Sequence, residues 1–179
     1  MNRLLIVGLG NPGQNYEKTR HNCGFLAARY YAEHNNFPEF QLDKRFDSLI
    51  SEKEHVLIAL PQTFMNTSGL AVKKIRDYYK IETQNIVIIH DEIDLPLGSY
   101  KKSQDKSSAG HKGVQSTIDL LGTKDFIRYR LGIAPATPNQ KVKAEEIVLK
   151  KLTKKELEIV NEVIKNVAAD IATTLVPTI

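Results

Sequence analysis

Apolar residues in this chain form two kinds of pattern, short unbroken runs and longer stripes at helical spacing, and their alternation sets the expected architecture. Arg3 to Leu9 holds the run Leu4-Leu5-Ile6-Val7, with the length and branching of a buried strand. Cys23, Leu26, Ala27 and Tyr30 share one face of a helix from Asn22 to about His34, which Asn35-Asn36-Phe37-Pro38 ends. Phe46 to Ser51 and Val56 to Leu60 read as a hairpin turning at Glu52-Lys53-Glu54. Pro61 opens the loop PQTFMNTSG, and a helix follows with Ala71, Ile75, Tyr78 and Tyr79 on one face. Ile86-Val87-Ile88-Ile89 is apolar on both faces, as a central strand is, and runs into His90-Asp91-Glu92. Residues 99–110 are polar, basic and serine-rich, which predicts a mobile loop. Val114, Ile118 and Leu121 mark a short helix closed by Gly122, and Arg128 to Ala134 reads as another strand. After a turn at Pro135 to Asn139, a capping box of Thr153 and Glu156 starts a terminal helix over about 153–175. Its stripe is Leu157, Val160, Ile164, Val167, Ala168 and Ile171.

This order of elements predicts an α/β fold, a single globular domain over 1–179 with a mixed, mostly parallel twisted sheet flanked by helices. If the strands ending near Leu9, Leu60 and Ile89 are parallel, the polar loops after them gather at one sheet edge. Open α/β folds place their sites there.

Composition narrows the classes. Hydrophobic content of 41% and charged content of 26% over 179 residues describe an ordinary soluble globular protein. No apolar run reaches membrane-spanning length, and the N-terminus lacks a signal-peptide pattern. The single cysteine, Cys23, cannot form an internal disulfide, so a cytoplasmic location is expected. A net charge of +4 permits an anionic partner such as RNA without requiring one. Lys101, Lys102, Lys106, His111 and Lys112 concentrate charge around 99–113, with Arg130 able to add to it. Such a cluster is a solvated loop by default and a phosphate-tracking groove in the sharper reading.

The stretch Gly8–Asn22 carries the candidate chemistry. GLGNPG satisfies G-x-G-x-x-G after a strand, but that dinucleotide motif needs a helix to begin inside it. Gln14 to Arg20 carry no apolar stripe, and the acidic residue expected after a second strand falls instead near Glu33, in a helix. The nicotinamide reading is therefore set aside. What remains is Asn11 and His21 at the two ends of a loop. A partially positive helix start keeps His21 neutral, and a carboxylate that orients it would make it a general base. Asp91, at the exit of the buried strand, is the obvious carboxylate, though capping the next turn is an equal local reading. His90 alternates to the other side, as a core residue. Asn11 and Asn66 either shape turns or hold a peptide-like amide, and Met65 reads as packing. No metal-ligand spacing, nucleophile elbow or P-loop is present.

Five segments then point to one family: GLGNPGQNYEKTRHNCGF at 8–25, PQTFMNTSG at 61–69, HDEIDLPLG at 90–98, AGHKG at 109–113 and RLGI at 130–133. In order and spacing the chain resembles the bacterial-type peptidyl-tRNA hydrolases over most of 3–135. The resemblance implies hydrolysis of the ester between a peptide's C-terminal carbonyl and the ribose at the tRNA 3′ end. His21 then matches the catalytic histidine and Asp91 the acid that orients it. Asn11 and Asn66 match the substrate-positioning asparagines, Met65 is their neighbour, and Tyr16 is expected with them at the substrate. Arg130 matches a basic residue associated with tRNA contact, and Lys101, Lys102 and Lys106 are expected to join it. One position departs: Lys112 stands where the family usually has asparagine, and a lysine donates without accepting. It is expected to meet substrate, as a contact to tRNA phosphate. No cofactor, metal or membrane is implied, and the expected partner is peptidyl-tRNA bound by a monomer. The alternative is a non-catalytic RNA-binding relative of the splicing-factor type, disfavoured by the intact His21, Asp91, Asn11 and Asn66.

Overall fold

The computed structural model describes residues 3–134 and 143–174. The expected turn at Pro135 to Asn139 lies outside them. Among these residues, seven strands form one sheet in the order β2-β3-β4-β1-β5-β7-β6. The chain enters at β1 (Leu4–Gly8), crosses through α1 (Cys23–His34), and makes three strands at one edge, β2 (Gln41–Asp43), β3 (Ser48–Lys53) and β4 (Val56–Pro61). Helix α2 (Ser68–Tyr79) leads to β5 (Ile86–Pro96), then β6 (Tyr100–Gln104), α3 (Lys112–Leu121) and β7 (Ile127–Ala134). The described part ends with α4 (Ala144–Val148) and α5 (Lys154–Thr174). Strands β4, β1, β5 and β7 are parallel, and β2, β3 and β6 pair antiparallel at the edges. The expected mixed, mostly parallel α/β sheet is what the chain forms.

The unbroken apolar runs are explained by burial on both faces. Leu4 and Ile6 of β1 pack with α1 and α5, whereas Leu5 and Val7 pack with α2 and α3. Leu5, Ile6 and Val7 are all fully buried, each stabilising the fold by roughly 1.5–3 kcal/mol. Helix α5 buries Val160, Val163, Ile164, Val167, Ala168 and Ile171. Its start is the expected capping box, with the Thr153 N–H donating to Glu156 Oε2 at 2.9 Å and the Glu156 N–H to Thr153 Oγ1 at 3.3 Å.

Besides β2 and α4, which the sequence pattern did not predict, three elements differ from expectation. Tyr100–Gln104, expected in a mobile loop, is an edge strand with Lys101 opposite Arg130. An exposed edge strand needs no apolar face, so it leaves no alternation to read, and its lysines protect the open edge. Strand β5 continues past Ile89 to Pro96 because its partner β7 continues beside it, although burial ends at Glu92. On α2 the buried face is Ala71, Val72 and Ile75, while Tyr78 is 58% exposed.

Candidate active site

The parallel strands deliver their C-terminal loops to one edge, as the apolar runs imply. The β1 loop reaches α1 through a 3₁₀ turn, Arg20–Asn22, and α1 begins only at Cys23. The glycines here serve close packing. A Cβ on Gly24 would lie 2.2 Å from the Ile89 carbonyl oxygen and 2.5 Å from that of Leu9, so α1 can meet the ends of β1 and β5 only through glycine. This contact presses His21 against the exit of β5.

His21 Nδ1 lies 2.8 Å from Asp91 Oδ1, and His111 Nε2 lies 2.9 Å from the same oxygen. The tautomers follow from the network. His111 caps α3, its Nδ1 accepting from the Val114 N–H at 3.2 Å, so its proton sits on Nε2 and is donated to Asp91. The ionised carboxylate also takes the Nδ1–H of His21. In the neutral ring that arrangement leaves the lone pair on His21 Nε2, on a residue lining a cavity of about 600 Å³. Burial opposes the charge on Asp91, but His111 and then His21 overcome it and hold the carboxyl well below the usual carboxylate range. His90 is fully buried, donating from Nδ1 to the Asp91 carbonyl at 2.6 Å. Burial first, then His111, push its pKa well below the ordinary value. It is the core histidine the alternation implies.

The remaining candidates divide. Asn11 Oδ1 accepts from the Met65 N–H at 2.8 Å, which ties the β1 loop to the loop after β4. Asn22 clamps Asn11 from behind, accepting from its N–H and donating to its carbonyl, both at 2.9 Å. Asn11 Nδ2 is thereby the free end. Asn11, Met65, Asn66 and Lys112 all line the cavity with His21 and Asp91. Asn66 is exposed within the 3₁₀ turn Met65–Thr67 that leads into α2, whose N-cap position is Thr67 rather than Asn66. Tyr16 does not line the cavity; its backbone forms turns to Gly13 and Thr19 within the loop. Lys101, Lys102 and Lys106 are exposed along β6 and the segment after it. Arg130 does not stand free beside them. Its Nε and Nη2 both meet Glu92 Oε2, at 3.0 and 2.9 Å, and Glu92 itself lines the cavity. Lys112 Nζ is 2.7 Å from Glu145 Oε1.

Sequence reasoning placed His111 in a basic cluster and missed it as a partner of Asp91. A histidine directly before a helix start was the signal, because a capping Nδ1 forces Nε2 to donate. Asn22 and Glu92 were missed too, each adjacent to a residue that was named. The fold also assembles what spacing did not show: His21, Asp91 and His111 each present one metal-ligand-type atom within 4.8 Å of the others. Their nitrogen–oxygen separations are hydrogen-bond lengths, so an ion there would have to displace both N–H protons.

Comparison with known proteins decides the family. The model of the peptidyl-tRNA hydrolase family matches residues 5–178. The chain belongs to the peptidyl-tRNA hydrolase family. It is 44% identical over 158 residues to the peptidyl-tRNA hydrolase of Mesoplasma florum, covering 86% of this chain and 83% of that protein. It is 40% identical over 166 residues to that of Bacillus anthracis, covering 92% and 88%. The crystal structure of peptidyl-tRNA hydrolase from Acinetobacter baumannii superimposes with a TM-score of 0.89 at 30% identity, covering 97% of this chain and 89% of that one.

Proposed function

We propose that the chain hydrolyses the ester joining a peptide to the 3′-terminal ribose of tRNA, with His21 as general base. The observation that carries the assignment is the pair of histidines hydrogen-bonded to one Asp91 oxygen, with His21 turning its other ring nitrogen, Nε2, to the wall of an open cavity. A water bound to Nε2 loses its proton to the ring as its oxygen attacks the ester carbonyl. The tetrahedral oxyanion is met by amide donors from Asn11 Nδ2 or Asn66, which need little reorganisation because Asn11 is fixed through Met65 and Asn22. The imidazolium, stabilised by Asp91, then returns the proton to the departing 3′ oxygen. The products are a peptide carboxylate and a tRNA with a free 3′ hydroxyl, and no step uses a metal or cofactor.

Selectivity for peptidyl-tRNA over aminoacyl-tRNA follows if the site hydrogen-bonds the acylated α-nitrogen. That nitrogen is a neutral amide in the substrate and a cation in the competitor, and a site built for the amide rejects the cation strongly. Lys101, Lys102 and Lys106 supply phosphate contacts, and Arg130 joins them only on leaving Glu92, whose carboxylate neutralises it. Among the described residues no helix is long and apolar enough to cross a membrane. A cytoplasmic site of action, as a monomer, is part of the proposal, and the single free cysteine fits a reducing compartment. The test is release of N-acyl amino acid from N-acyl-aminoacyl-tRNA, with unacylated aminoacyl-tRNA as control. Tight binding of both without turnover would favour the RNA-binding alternative.

A further inference from the structure

One wall of the cavity is a strap, residues 143–152, that is fastened very differently at its two ends. Ala144, Glu145, Val148 and Leu149 line the cavity from this side. At its C-terminal end the strap is clasped to the loop that carries His21. The Arg20 N–H donates to the Lys150 carbonyl at 3.0 Å, and the Leu152 N–H donates to the Lys18 carbonyl at 2.8 Å. Arg20 Nη2 also meets Glu156 Oε1 at 2.5 Å, with the arginine side chain only 8% exposed. At the other end, Glu145 reaches across to Lys112 at 2.7 Å, with side chains 61% (Lys112) and 72% (Glu145) exposed. A pair so open to solvent is weak and exchanges readily.

We propose that Lys112 is a ligand for the substrate phosphate nearest the ester, held in reserve by Glu145, so that carboxylate and phosphate compete for one ammonium group at the cavity mouth. This rests on the hydrolase reading above. Lys112 follows His111, which donates to Asp91, so its ammonium belongs to the wall beside the reacting bond. The nearest formal charge to a 3′-ribose ester is the phosphate on the 5′ side of the same ribose. Lys112 is also the first residue of α3, where a cation opposes the helix dipole, so the position is favourable only with an anion beside it. When phosphate takes that role, Glu145 is released to solvent while the strap stays clasped at Lys150 to Leu152.

The test is steady-state kinetics on N-acyl-aminoacyl-tRNA and on an N-acyl-aminoacyl-adenosine ester that lacks the 5′ phosphate. With tRNA, Glu145→Gln removes the competitor and should lower KM about two- to five-fold, whereas Lys112→Gln should raise it by a similar factor. The double variant should behave as Lys112→Gln alone. With the adenosine ester the two single variants should act alike, because no phosphate competes. Shifts of the same sign with tRNA would make the pair a structural latch and overturn the proposal, as would no shift in either. Failure of the wild type to hydrolyse any acylated tRNA would overturn the hydrolase reading, and this one with it, before any variant is compared.

Discussion

Replacing Asp91 with asparagine should separate the charge of that residue from its hydrogen bonds. Asparagine has nearly the same shape, and His111 dictates how it sits. Because His111 Nδ1 is committed to the Val114 N–H, its Nε2–H needs an acceptor, which must be the amide oxygen. That is the oxygen His21 also meets, so His21 keeps its tautomer and its bare Nε2. What disappears is the negative charge facing the imidazolium formed in the transition state. Two unit charges 4 Å apart are worth about 4 kcal/mol at an effective dielectric of 20. The carboxylate is shared with His111, so a loss of about 3–4 kcal/mol is the working range, or roughly 10²–10³ in kcat. KM should change little, since Asp91 is 2% exposed and tied to both histidines. Initial rates of N-acyl amino acid release at saturating N-acyl-aminoacyl-tRNA measure this. A variant within tenfold of wild type would refute the electrostatic role. Adding His111→Ala should lower kcat further, because the amide can then flip, donate to His21 Nδ1 and place the ring proton on Nε2.

The other expectations concern stability and binding. His90 is a base whose pKa is depressed by burial, so below about pH 6.5 the unfolded chain binds a proton that the folded one does not. Its contribution should make the protein progressively less stable as pH falls from about 7.5 to about 5.5, measured by urea unfolding, and His90→Asn should lose that pH-dependent increment. Gly24→Ala sets a Cβ against the Ile89 and Leu9 carbonyls and should cost about 2 kcal/mol, lowering Tm by about 4–8 °C in a thermal melt. Affinity for tRNA should fall steeply with salt, and Lys102→Ala should reduce the slope of log K against log[salt] by about 0.7–0.9.

The pairing of His21 with Asp91 was legible 70 residues apart because each follows a recognisable apolar strand and parallel neighbours send such loops to one edge. The sheet was legible where strands are buried on both faces. It was not legible at β6, where Lys101, Lys102 and Gln104 are exposed and the strand exists only because β7 offers its backbone. His111 was hidden because its role depends on one nitrogen capping α3 while the other reaches Asp91, a geometry that no spacing encodes. Arg130 and Lys112 read as free cations for the same reason: Glu92 and Glu145, their partners, lie 38 and 33 residues away. The glycines of the first loop gave a dinucleotide pattern, yet Gly24, outside that pattern, makes the tightest approach in this region.

The central claim is that one bare nitrogen, His21 Nε2, does the proton transfer. It is tested most directly by kcat for N-acyl-aminoacyl-tRNA in the wild type and in His21→Ala, with circular dichroism confirming that both are folded. The account predicts a loss of at least about 10²-fold in the variant, the lower end of what a positioned general base contributes. Equal turnover by the two proteins would contradict it.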